Sequence, residues 1–599
     1  MPSAEVLAAR PDARPGPASR TGARAAAAVA AVTAGHVALR LVVISNRPGP
    51  KVTDEIGYLI NARVLAGGPP GDLSCCTVYS GGYSLLLAPL AALWPDPEAL
   101  YRGALLLGVV LTAAVCPVLY ALARTAWSAS HRDALAASAG GAAVPSLVIH
   151  TGLAWTEALL PLLIASWLLA VSLAAAPERD PRGRATALVV AGVLAAWLFT
   201  THTRTAPLVL VHLGILVWWA TRRTMRGRDL LVGAATLATG LLAGHLLNAH
   251  LAAVNWPSRP DTDPFLANVA PNLADLGALA RVGVLATGSL WTLSTATGAL
   301  AVVGALGMIA QLRPGSGRPA RVVAASVLAG TMGLAMLAAL VVGPVLTDPS
   351  YWVYGRYVEP IAPVLVTAGL LLLARIGRLV RAARSRRHRR GVLALGGLIT
   401  AAAGVSAAAV AVVLLYVGPA LLAPSTRPLA VVGLAGPARS VSALHPISAT
   451  LVAAGVLTLA ALATTLPRGP ELSASVAAAA ALASIATFHG LWLGPHDALF
   501  YPGRRTLADV AELHNAEVIA WCEPKVGAYG PYTFGQFYAP QARIERFPVA
   551  GKPAPDADVV IGPAGCAPEL GWVRTASSPD GDLELWVPIR GAPPPGAGA

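Results

Sequence analysis

The sequence predicts an all-α polytopic membrane bundle of about thirteen transmembrane helices, with interfacial helices in its first outer loop and a small C-terminal extracytoplasmic α/β domain. Three observations carry this. Of 599 residues, 55% are hydrophobic and only 12% charged, half the charge of an ordinary soluble chain. Apolar runs of roughly 20 residues recur through most of the length, each able to cross about 30 Å of hydrocarbon. Lys and Arg gather in alternate connections between those runs.

Charge-poor runs place the spans at Ala25–Ile44, Gly103–Ala123, Ala134–Ile149, Ala158–Ala176, Ala185–Thr201, Ala206–Thr221 and Leu230–Leu247. Val284–Leu312, Val322–Leu346, Pro360–Ala374, Gly391–Val417, Ile447–Leu466 and Ala474–Leu493 complete the set. Run Val284–Leu312 exceeds one crossing, so it tilts or begins as an interfacial segment. With the N-terminus cytoplasmic, inner segments hold 25 Lys and Arg against 10 in outer loops, and Arg375–Arg390 is the strongest inside marker. The net charge of +14 is then a topology signal rather than a nucleic-acid footprint. No small-residue cleavage site stands out after the first span, so no cleaved signal peptide is expected.

An odd number of spans puts the chain after about Pro495 outside. There, Arg505–Asn515 has helical spacing, while AEVIAWC, ARIERFPV and DADVVIG read as strands and Ser578–Asp582 as the turn of a hairpin. Five cysteines form no metal-ligand pattern, but Cys522 and Cys566 are placed to pair if this region faces an oxidising space.

The first outer loop, residues 46–102, carries the densest chemistry. In TDEIGYLINARVLAGG (Thr53–Gly68), Ile56, Leu59, Ile60 and Val64 share one helical face, as in a helix lying on the membrane surface. Asp54 and Glu55 open that helix, where carboxylates favour the macrodipole; they serve either as capping groups or as a general base toward a hydroxyl. YSGGYSLLLAPLAALW follows at Tyr79–Trp94. Arg204 and Arg356 lie at span boundaries on the same side, suited either to snorkelling or to holding a phosphate bidentately. Glu157 opens a span there too. Arg40 reads as a snorkelling anchor. His150 and His202 lack a ligand set, so no cofactor is called for, although a divalent cation stays open. Asp261–Thr262–Asp263 reads as loop.

The order of these motifs resembles the GT-C superfamily of membrane glycosyltransferases, which use polyprenyl-phosphate sugars and include protein O-mannosyltransferases and aminoarabinose transferases of lipid A. The matching stretches are the Asp54–Gly68 helix, GYSLLLAPL, LAWTEALLPLL at Leu153–Leu163, THTRTAP at Thr201–Pro207 and YGRYVEPIAPVL at Tyr354–Leu365. The resemblance implies a catalytic Asp54 with Glu55 as its acidic partner. It implies substrate binding by Tyr58, Arg63 and Tyr83; the charge of a departing phosphate adds Arg204 and Arg356 as candidates, with Tyr357 beside the latter, and Glu157 either orients acceptor or sugar hydroxyls or is a helix N-terminal charge. Some relatives carry Lys-Pro where this chain has Ser80–Gly81–Gly82, which leaves phosphate binding to other residues. The resulting division is a cytoplasmic, disordered 1–24, a GT-C-like catalytic module at 25–375, additional helices at 376–494, the outer domain at 495–590 and a disordered tail at 591–599. The implied activity is inverting transfer of a hexosyl or pentosyl unit to an extracytoplasmic hydroxyl of an envelope glycan, lipid or protein. A lipid or sugar transporter or flippase, or a non-catalytic GT-C-like envelope scaffold, are the alternatives; span interiors almost free of charge and the lack of repeated halves weigh against transport.

Overall fold

The computed structural model describes residues 18–45, 47, 49–50, 52–74, 77–257, 269, 276–342, 348–382, 386–423, 431, 433–434, 444–490, 516–523, 535–539, 541–548, 556–562, 572–577 and 584–588. In chain order the helices are α1 (Ala18–Ile44), α2 (Thr53–Leu65), α3 (Gly81–Leu93), α4 (Pro97–Ala126), α5 (His131–Ala142), α6 (Pro145–His150), α7 (Leu160–Ala175), α8 (Pro181–Thr201) and α9 (Ala206–Thr221). They continue with α10 (Gly227–Asn255), α11 (Leu276–Ala296), α12 (Leu300–Gln311), α13 (Arg318–Val342), α14 (Ala362–Arg381), α15 (Arg386–Val417), α16 (Pro446–Ala463) and α17 (Gly469–Phe488). Among the described residues, twelve helices are long and apolar enough to cross a membrane. The chain is a multi-pass membrane protein.

The expected span Ala134–Ile149 is instead two short helices, α5 and α6, of 12 and 6 residues. Pro145 opens α6, and the residue before it, Val144, is held extended at ψ 131° by the proline ring. Neither helix crosses alone. Asp54 and Glu157, however, meet the same arginine, and α4 is the one long helix between them. Returning the chain to that end requires α5 and α6 to cross together, which makes thirteen crossings among the described residues. The overlong run Val284–Leu312 is also broken: Gly298 and Ala299 adopt φ of 58° and 59°, ending α11 and restarting the chain as α12. A Cβ on Gly298 would lie 2.5 Å from Val456, so the break is packed as well as left-handed.

Helix α2 is covered on more than the one apolar face that the sequence marks. All residues from Glu55 to Ala62 are buried, not one face of them. Gly57 admits the Tyr79 ring so closely that a Cβ there would meet it at 2.0 Å. Asn61 donates to the Tyr79 carbonyl at 2.8 Å and accepts from Asn255, at the end of α10, at 2.8 Å. Asn255 in turn accepts from the Gly71 amide at 3.0 Å. The protein, rather than lipid, covers the helix. Arg40 is likewise no snorkelling anchor. Fully buried in α1, it donates through Nε to Thr112 at 2.8 Å and through Nη2 to the Ala142 carbonyl at 2.8 Å, tying α1 to α4 and to the end of α5.

The C-terminal region forms one mixed sheet of β1 (Val518–Glu523), β2 (Arg543–Pro548), β3 (Val559–Gly562), β4 (Trp572–Ser577) and β5 (Glu584–Pro588), in the order β2-β1-β3-β5-β4. β1 runs parallel to β2 and β3, while β5 is antiparallel to β3 and β4, as the expected hairpin requires. Alternation along β1 sends Ile519 and Trp521 to one core, and Val518, Ala520 and Cys522 to the other. Cys522 is disulfide-bonded. Its expected partner Cys566, the expected helix Arg505–Asn515 and the Asp261–Asp263 stretch lie outside the described residues.

Candidate active site

The residues of the site come from four connections that meet at one end of the bundle. Asp54 stands in the first turn of α2. Glu157 lies in the turn before α7, Arg204 between α8 and α9, and Arg356 in the segment before α14. Arg356 joins two of the carboxylates: its Nη2 lies 2.8 Å from Asp54 Oδ2, and its Nε pairs with Glu157 Oε1. Arg204 Nη1 reaches the same Glu157 oxygen at 2.9 Å. That approach is an ion pair without hydrogen-bond alignment, and Arg204 Nη2 has no hydrogen-bond partner. Two guanidinium groups and two carboxylates thus form one network that balances in charge.

Exposure separates their tasks. The Glu157 side chain is 0% exposed and that of Arg204 1%, whereas Arg356 is 14% and Asp54 29% exposed. Glu157 is the buried counter-ion of the network, and Asp54 is the member open to an incoming group. Aromatic rings fix the cations. The Arg356 guanidinium lies 4.2 Å from the Trp155 ring centre, and that of Arg204 4.9 Å from the Tyr357 ring. Burial works against the charge on Arg356, but Glu157 and Asp54 outweigh it and hold the group protonated well above the ordinary arginine range. Burial pushes the Tyr58 hydroxyl up, with Glu157 and Asp54 adding to the effect, so it stays a neutral phenol. Tyr58 packs edge-on against Tyr79 and Tyr83 at 5.3 and 5.8 Å, and the Tyr79 hydroxyl lies 3.4 Å from Asp54 Oδ1.

Three residues singled out in the sequence are placed elsewhere. Glu55 is fully buried and does not stand beside Asp54 as an acidic partner. Its Oε1 accepts from the Val52 amide at 3.3 Å, and its Oε2 from the Ala154 amide at 2.7 Å. It caps its own helix and holds the loop that presents Trp155 and Glu157. Arg63 points away from the network. Its guanidinium donates to the carbonyl of Pro69 at 2.9 Å and to that of Gln536 at 3.1 and 3.2 Å. Arg63→Ala is therefore expected to loosen the C-terminal domain, at a cost of about 1.5–3 kcal/mol for hydrogen bonds from a charged donor. Limited proteolysis checks this: the C-terminal domain should be released faster from the variant than from the wild type. Tyr83 is fully buried behind Tyr58, its hydroxyl without a hydrogen-bond partner.

The Ser80–Gly81–Gly82 departure has a packing reason. A Cβ on Gly82 would lie 2.6 Å from the Thr201 amide, and the Gly82 carbonyl accepts from Trp197 Nε1 at 3.0 Å, so α3 is pressed against the end of α8.

Trp155 and Glu359 lay outside the sequence reading, whereas His150 and His202 were weighed there only as metal ligands. Trp155 was not distinguished from its motif. His150 faces Glu359, with Nε2 and Oε2 3.9 Å apart, and stacks edge-on against Trp155 at 5.1 Å. Glu359 Oε1 accepts from the Gly433 amide at 3.0 Å. His202 is pushed well down, by burial and by Arg204; its Nδ1 accepts from the Arg204 amide at 3.2 Å. Among the described residues, no group of three or more His, Cys, Asp or Glu is placed to hold a metal ion.

The fold and the network define a polytopic membrane protein with a carboxylate–guanidinium site at one end of its helices. No family model matches the chain, and no curated protein matches it. Among solved structures, the crystal structure of ArnT from Cupriavidus metallidurans bound to undecaprenyl phosphate is similar, with a TM-score of 0.52 and 13% identity, covering 96% of this chain and 99% of that one. The apo-state crystal structure of the same protein has a TM-score of 0.50 and 12% identity, covering 94% of this chain and 98% of that one. This chain has a GT-C-like fold.

Proposed function

We propose that this protein is a membrane glycosyltransferase that moves a sugar from a polyprenyl-phosphate donor to an acceptor hydroxyl on the extracytoplasmic face. The observation that carries the reading is the network itself: Arg204 and Arg356 share Glu157, and Arg356 also holds Asp54, the most exposed of the four. A leaving phosphate needs fixed positive charge, and guanidinium groups supply it in matched geometry. An attacking hydroxyl needs a nearby carboxylate to take its proton. Both lie within one network, in a chain whose fold is similar to that of ArnT, a structure of which is bound to undecaprenyl phosphate.

In the reaction, the acceptor oxygen gives its proton to Asp54 and forms a bond to the anomeric carbon. The bond from that carbon to the phosphate oxygen breaks, and the electron pair leaves on the polyprenyl phosphate. One displacement inverts the anomeric centre. Arg204 and Arg356 bind the phosphate as its charge develops, while Glu157 keeps the two guanidinium groups from moving apart. Tyr58 and Tyr357 shape the enclosure around the sugar, Tyr83 backs Tyr58 from behind, and Glu55 positions the Ala154–Glu157 loop. The acceptor class comprises envelope glycans, lipids and proteins that expose a hydroxyl. A cytoplasmic N-terminus and an outer β-sheet domain are the orientation that the arginine distribution supports.

Mass spectrometry of envelope glycans from cells with and without the protein tests this reading. Loss of one sugar residue, with accumulation of its polyprenyl-phosphate donor, is the expected result. An unchanged glycan and lipid-donor profile would overturn it.

A further inference from the structure

Three arginines are buried to less than a tenth exposed among the described residues: Arg40, Arg47 and Arg204. Two of them have partners. Arg40 donates to Thr112, Ala142 and His36, and Arg204 pairs with Glu157. Arg47 has none. It is 7% exposed, and its Nε, Nη1 and Nη2 are all buried without a hydrogen bond or ion pair. A guanidinium does not neutralise itself by losing a proton, so burying one without an anion is among the most costly arrangements in a protein. Such a group calls for a counter-ion.

The surroundings say which kind. Arg47 follows directly on the end of α1, where the chain leaves its first span. One turn earlier, Val43 packs with Val148 and Ile149 of the α6 region and with Ile485 and Phe488 of α17, an apolar cluster at the membrane boundary. The Arg47 guanidinium lies flat against Gly152: a Cβ there would sit 2.7 Å from Nη2 and 3.0 Å from Nε. Gly152 belongs to the loop whose next residues hold Glu55, through the Ala154 amide, and carry Trp155 beneath Arg356. The backbone amides of Thr151 and Gly152 are already bonded to Val148 and Ile149, so the donors free to bind an anion are those of Arg47 itself. A planar fork of N–H groups at a membrane boundary suits the paired oxygens of a phosphate.

We propose that Arg47 forms a second anion site, separate from the Arg204–Arg356 network, whose ligand is a phosphate carried by an anionic phospholipid. The bound headgroup neutralises Arg47 and steadies the Thr151–Trp155 loop through Gly152. The proposal stands apart from the glycosyltransferase reading, because its readout is lipid-dependent stability rather than transfer.

The test compares thermal unfolding of the full chain in neutral detergent, as wild type, Arg47→Gln and Arg47→Lys. Additions are phosphatidylglycerol, phosphatidylcholine, polyprenyl phosphate and inorganic phosphate. Phosphatidylglycerol is expected to raise the wild-type melting temperature by several degrees more than phosphatidylcholine does. That difference should vanish in Arg47→Gln and persist in part in Arg47→Lys. An equal phosphatidylglycerol response in wild type and Arg47→Gln would overturn the site. A response confined to polyprenyl phosphate or to inorganic phosphate would overturn the phospholipid as its ligand. Native mass spectrometry of the delipidated wild type gives a reading independent of how the variants fold: one retained anionic phospholipid supports the site, and none contradicts it.

Discussion

Asp54→Asn is expected to lower turnover by about 10²–10⁴-fold, the range a positioned general base contributes. The substitution keeps the shape of the side chain and removes only its capacity to take a proton at neutral pH. Asp54 is the most exposed member of the network and stands in the first turn of a helix whose other contacts do not pass through its carboxylate. Asn61, Glu55 and Gly57 carry those contacts instead. Folding and membrane insertion are therefore expected to survive. The amide still accepts from Arg356, so binding of the donor should change far less than its turnover. Measuring both in one detergent-purified preparation separates a lost base from a lost binding group.

Glu157→Gln is expected to act more broadly, on the integrity of the site as well as on its chemistry. Glu157 is fully buried between Arg204 and Arg356, and removing its charge leaves two guanidinium groups facing each other with Asp54 as their remaining carboxylate. Breaking a buried ion pair by neutralising one partner costs about 3–5 kcal/mol. The variant should melt at a distinctly lower temperature, with donor binding and turnover lost together. Excess polyprenyl phosphate is expected to recover part of the stability, because its phosphate replaces the missing negative charge. Circular dichroism melting with and without that lipid is the check. A variant as stable as the wild type would show that Glu157 is not the counter-ion of the two arginines.

Much of this architecture is legible in the sequence because membrane spans and helix starts are local signals. Apolar run lengths locate the long helices, and Asp54–Glu55 marks the start of α2. Alternating runs of Val and Ile mark β1 and β3. The arginine distribution alone puts Asp54, Glu157, Arg204 and Arg356 at one end, and the structure brings those four side chains together. What escapes are features set by distant contacts. The capping position of Glu55 is local, but its bond to Ala154 spans 99 residues, and it is this bond that makes Glu55 a positioning group. The apolar pattern of α2 is that of a surface helix. Its second covering, by Tyr79, Asn255 and the Gln536–Phe537 segment, comes from three other parts of the chain. Arg40 and Arg47 look alike as boundary arginines, yet one is satisfied by Thr112 and Ala142 and the other by nothing in the described chain. The α11–α12 break turns on two residues of positive φ, one of them Ala299, a residue type whose helix propensity gives no warning.

The central claim is that Asp54 supplies the base and the two arginines hold the phosphate, within a single inverting displacement. Single-turnover transfer from a synthetic polyprenyl-phosphate sugar of defined anomeric configuration, by the purified wild type and Asp54→Asn in liposomes, tests it most directly. The account predicts a product of inverted configuration from the wild type and bound but unconsumed donor with the variant. A product of retained configuration, or near-normal turnover by Asp54→Asn, would contradict it.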